Sequence, residues 1–124
     1  MASSSHSSPD LIADLRSLSE LFSDPGRRTT GVDARDDSGR RVDPFAPEAV
    51  CFCLLGGAAK VAGATTDGDN DDGEWRYRNL CEALRSALPE SARGSLAVFN
   101  DMSPHSQVVA VIASALSTAL NSSG

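Results

Sequence analysis

The chain has 124 residues, 40% hydrophobic and 23% charged, and carries a formal net charge of −6. A chain of this length has room for one core and hides about two-thirds of its unfolded surface on folding. Seventeen acidic against eleven basic side chains repel nucleic-acid phosphate and anionic lipid, so neither is an expected partner. The longest apolar stretch, Ala49 to Leu55, is too short to span a bilayer.

Residues 1–8 are rich in Ser, with no basic residue and no apolar run, which is unlike a secretion signal and predicts a disordered tail. The expected address is the cytoplasm, with the three cysteines reduced. One globular domain is expected over 9–121, with a frayed end at 122–124. A first helix starts at Ser8-Pro9-Asp10, where cap, N1 proline and acid coincide. Leu11, Ile12, Leu15, Leu18 and Phe22 give it one apolar face, and Asp24-Pro25-Gly26 ends it.

From Thr29 to Val42, Thr, Val and Ala alternate with charged residues around Asp36-Asp37-Ser38-Gly39, the pattern of a small hairpin with a positive φ at Gly39. Arg27, Arg28, Arg35, Arg40 and Arg41 crowd this stretch, but Asp33, Asp36, Asp37 and Asp43 are interleaved with them, which reads as a mixed, solvated surface. After a stiff Asp43-to-Pro47 connector, a second helix is predicted over Pro47 to Ala62. It is apolar all round and therefore central, with Gly56 and Gly57 paid for by close packing, since each costs about 1 kcal/mol in a helix. An acidic loop follows at 63–73. A third helix runs from about Glu74 to Leu88 with Tyr77, Leu80, Cys81, Leu84 and Leu88 on one face. Ser95 to Phe99 reads as a short buried strand, and Ser103-Pro104 opens a last helix with Val108, Val109, Ile112, Leu116, Ala119 and Leu120 inward. The fold class is α+β, mainly α: about four helices around a central apolar helix, with a small hairpin or short sheet.

Candidate chemistry is sparse. Asp67, Asp69 and Asp71 imitate the start of an EF-hand. Asp72 then stands where the turn needs Gly, and Arg78 where a bidentate Glu belongs, which leaves weak cation binding over 67–74 at most. Cys51 and Cys53, placed on a helix, diverge by about 200° and do not form half a metal site. No cofactor or metal centre is expected. Nucleophilic catalysis would pair Cys51 or Cys81 with His105, without any local hydrolase signature to support it. The turn Asn100-Asp101-x-Ser103-Pro104-His105 is polar, and Trp75 stands alone as a tryptophan that either anchors a partner or edges the core.

Two blocks, Gly31-x-x-Ala34-x-Asp36-x-x-Gly39-x-x-Val42-x-Pro44-x-x-Pro47-x-Ala49-Val50-x-Phe52-Cys53-Leu54-x-Gly56 and Phe99-Asn100-Asp101 with its following Val-rich helix, resemble an uncharacterised family of small bacterial and phage proteins, a domain of unknown function. The resemblance spans about residues 11 to 120. Arg28-Thr29-Thr30 and Met102-Ser103-Pro104 depart from its pattern. It implies a module boundary and no activity. The leading expectation is a non-enzymatic accessory module, carried by a mobile element or phage, that binds an unknown protein or a second copy of itself. The alternative is a small enzyme or ligand-binding domain with a pocket near Asp36, Asn100, Asp101 and His105; Trp75 completes the candidate contacts.

Overall fold

The computed structural model describes residues 9–63, 71–90 and 95–123. The Ser-rich tail at 1–8 and most of the acidic loop, including Asp67, Asp69 and Asn70, lie outside the described residues. Helix α1 covers Pro9–Leu21, and Asp24 then caps a 3₁₀ turn at Pro25–Arg27 by accepting from Gly26 N. Strands β1 (Ala34–Arg35) and β2 (Cys51–Phe52) pair antiparallel, with Ala34 opposite Phe52 and Arg35 opposite Cys51. Four helices follow: α2 (Leu54–Ala62), α3 (Asp71–Ser86), α4 (Leu96–Met102) and α5 (His105–Ser123). The fold is mainly α with a two-stranded sheet, as its patterning implies.

The turn foreseen at Asp36 to Gly39 is present. Asp36 N donates to Arg40 O, Gly39 takes φ +85°, and Arg35 bridges to Arg41. The strand that leads into it, however, finds its main partner in Cys51–Phe52, within the predicted second helix. That helix therefore starts seven residues later than Pro47. Residues 43–49 form turns instead, with Ala46 N donating to Asp43 O and Ala49 N to Ala46 O. Val50-Cys51-Phe52 is as apolar as a helix interior, but its β-branched and aromatic members suit a strand once Ala34–Arg35 lies beside it.

Residues 95–99 correct the reading in the other direction. Ser95 has extended backbone and its Oγ accepts from Val98 N at 3.1 Å, so it starts α4 where a strand was predicted. A five-residue apolar run cannot distinguish the two states by period alone. Among the described residues α4 thus stands as a fifth α-helix, in keeping with the mainly helical class.

Helix α2 is central, as expected: it packs against α1, α3 and α4 and buries Leu54, Gly56, Gly57, Ala58 and Ala62. Its glycines are matters of space. A Cβ on Gly56 would lie 2.1 Å from the Asp33 carbonyl oxygen, and one on Gly57 would lie 2.8 Å from the Phe22 ring. Gly63, in the left-handed region at φ +78°, closes the helix by donating to Ala59 O and Lys60 O. Around α2 the core takes Leu15 and Leu18 from α1 with Phe22 just beyond it, Leu80, Cys81 and Leu84 from α3, and Val108, Ile112 and Ala119 from α5. Leu11, Tyr77 and Leu116 pack at its margin. One buried charge crosses it: Asp14 on α1 receives two hydrogen bonds from the Arg76 guanidinium on α3.

Candidate functional site

Among the predicted site residues, Asn100, Asp101 and His105 meet at one corner of the molecule, and the group that gathers them is Arg28. Its Nε donates to His105 Nδ1 at 3.2 Å, its Nη1 to the Asn100 carbonyl at 2.7 Å and to Asn100 Oδ1 at 3.2 Å, and its Nη2 to the Ser103 carbonyl at 3.1 Å. The guanidinium thus satisfies carbonyls at the C-terminal end of α4, where backbone dipoles leave negative charge. An arginine can only donate, so His105 Nδ1 accepts, and its Nε2 carries the proton given to the Phe22 carbonyl at 2.8 Å.

Asn100 is fully buried. Its Oδ1 accepts from Leu54 N at the start of α2, and its Nδ2 donates to Thr29 O and to Asp101 Oδ1. Asp101 Oδ1 also accepts from Gly31 N at 3.1 Å. Five segments converge here: the end of α1, residues 28–31, the N-terminus of α2, α4, and the start of α5. Every polar atom named is engaged, and no buried side-chain nitrogen or oxygen among the described residues lacks a partner. The corner's hydrogen bonds are turned inward, while Arg28 and His105 are half-buried and Asp101 is exposed.

Asp36 does not join it. Its carboxylate accepts from Ser38 N and Arg40 N within its own turn. Arg28 and Arg35 likewise depart from the solvated surface expected of the arginine stretch. Arg28 serves the corner, and Arg35 is tied to Thr29 Oγ1, Thr30 O and Gly39 O. The other three, Arg27, Arg40 and Arg41, are exposed. No local signal distinguishes Arg28 from these neighbours, since its partners lie 72 to 77 positions away in sequence.

A family model matches residues 7–118. The chain belongs to DUF6197, a family of unknown function. No curated protein and no solved structure matches it.

In this DUF6197 chain none of the thiols meets His105. Cys53, with extended backbone, caps α2 by accepting from Gly56 N at 3.2 Å, and its Sγ lies 3.8 Å from Asp33 Oδ1. Burial pushes this thiol up, and the Asp33 and Asp101 charges add to the effect against the opposing amide bonds. Cys81 is raised by burial too, despite a hydrogen bond from Tyr77. Cys51 Sγ sits 3.9 Å from the Arg35 carbonyl. The divergence argued for Cys51 and Cys53 on a helix loses its basis, because Cys51 belongs to β2 and Cys53 is a cap. No group of three or more metal-ligating side chains occurs among the described residues, and no helix there is long and apolar enough to cross a membrane.

The surface is clearer. Trp75, at 54% exposed, stands out from α3 and does not edge the core. On α4, Leu96, Phe99 and Asn100 face inward, whereas Val98 is 59% and Met102 79% exposed. A groove of about 230 Å³ between α1, α3 and α5 is lined by Leu11, Ala83, Ala87, Ser114 and Thr118 among others, without a charged group.

Proposed function

We propose that this DUF6197 chain is a non-enzymatic interaction module that acts by binding a protein. The observation that carries the reading is the outward face of α4. Val98 and Met102, one helical turn apart, offer apolar surface to solvent on a helix whose other face is anchored by Leu96, Phe99 and Asn100. Arg28 holds its C-terminal carbonyls and Ser95 caps its start. Such a fixed helix presents its side chains with little ordering cost on binding. The polar residues expected of a catalytic site are engaged in the corner behind that helix: both ring nitrogens of His105 and both amide atoms of Asn100 are taken. On this reading the chain works in the cytoplasm with reduced thiols, a mobile element or phage is the setting, and its acidity turns it away from nucleic acid.

The test is tagged wild type against Val98→Glu/Met102→Glu in lysate of the encoding organism, with thermal melting as the folding control. Wild type should retain a protein in stoichiometric amount, and the double variant, melting within about 2 °C of it, should lose that protein. Equal recovery by both, or by neither, would overturn the reading.

A further inference from the structure

The exposed face of α4 carries a charge as well as apolar surface. Val98, Asp101 and Met102 lie three and four positions apart, on one side of the helix, and all three are exposed. Asp101 is held by Gly31 N and Asn100 Nδ2, both on Oδ1, and no hydrogen bond among the described residues occupies Oδ2. A second exposed carboxylate, Asp33, stands two residues beyond Gly31 in the chain. Of the guanidiniums around this patch, Arg28 gives four hydrogen bonds inside the corner, and Arg35, whose Nη2 lies beside Gly31, gives its own to Thr29, Thr30 and Gly39. The patch is therefore apolar at Val98 and Met102 and acidic beside them, on a chain of net charge −6. That charge disfavours a second copy or an acidic protein as its occupant.

We infer that α4 receives a basic amphipathic segment of the protein partner, whose apolar side chains cover Val98 and Met102 while a Lys or Arg reaches the carboxylate of Asp101. The inference rests on the protein-binding reading and adds the partner's chemistry to it. Apolar anchors of this kind set how long a complex lasts, and a rim carboxylate sets how fast it forms and how strongly it depends on salt.

The probes are two amphipathic helical peptides of one pattern, Leu with Lys and Leu with Glu, titrated into the ¹⁵N-labelled full chain. The Leu/Lys peptide should shift the amides of residues 96–102 in a saturable way. Val98→Ser/Met102→Ser should weaken it at least about tenfold, equivalent to about 1.4 kcal/mol. Asp101→Glu should retain binding, and Asp101→Asn should flatten the dependence on salt. The inference is overturned if the Leu/Glu peptide binds as well, or if the shifts map away from α4. A host partner captured through Val98 and Met102 that carries no basic segment would overturn this inference and leave the protein-binding reading standing.

Discussion

The polar corner around Arg28 and the helical half formed by α1, α3 and α5 are held together by different physics. In the helical half, side chains at helical spacing interdigitate, and one bidentate ion pair, Asp14 with Arg76, is set among them. In the corner one guanidinium, one buried amide and the Asp101 carboxylate hold five segments by hydrogen bonds, mostly to backbone groups. Apolar packing tolerates local adjustment, whereas a hydrogen-bond network fails by leaving its remaining members unsatisfied in a dry environment. The corner should therefore be the less forgiving of the two.

Asn100→Leu tests this most severely. It keeps the volume but leaves Leu54 N and Thr29 O without their buried partner, and at about 1–3 kcal/mol for each orphaned group the loss should be about 4 kcal/mol in urea unfolding. A loss below about 1 kcal/mol would erase the contrast. In the helical half, Arg76→Met strands a buried carboxylate and should cost about 3 kcal/mol, whereas Asp14→Leu/Arg76→Met together should return to within about 1 kcal/mol of wild type. No such double replacement should rescue Asn100→Leu, because the partners it orphans, Leu54 N and Thr29 O, are backbone.

The smallest effect concerns alkaline pH. Burial raises Cys53 and Cys81 above the ordinary thiol value of 9.0, so the unfolded chain releases these protons first. Their contribution is complete below pH 9.0 and is lost as pH rises from there through the folded values. Tyr77, raised mainly by burial, acts in the same direction at higher pH. The urea midpoint should thus fall more between pH 8 and 10 for wild type than for Cys53→Ala/Cys81→Ala. An equal fall would show that burial does not hold these thiols protonated.

The same division governs how much could be read in advance. Leu15 and Leu18 on α1 with Phe22 just after it, Leu80 and Leu84 on α3, and Val108 and Ile112 on α5 are buried where their period places them. Those helices are long enough for a 3.6-residue repeat to declare itself. Cys51–Phe52 and Ser95–Phe99 were each assigned the wrong state, because a short apolar run takes its conformation from distant partners: Ala34–Arg35 in one case, the α4 anchorage in the other. The approach at Gly56 was legible as a need for space, though not as a carbonyl of Asp33. Asn100, Asp101 and His105 were brought out by their polarity between two elements, but their use was not, since Arg28 looked like any other arginine of its stretch.

The reach of Arg28 has a consequence for the order of events during folding. Its acceptors emerge from the ribosome only after 72 to 77 further residues have been made. Until then the carbonyl of Phe22 and the first amide of α2 lack these partners, and α1 with α2 can gather only through apolar contacts and the short β1–β2 pairing. Closing so long a loop adds little to the equilibrium cost but is slow to find. The corner is a late event, and the nascent chain must stay soluble with its most exacting joint still open.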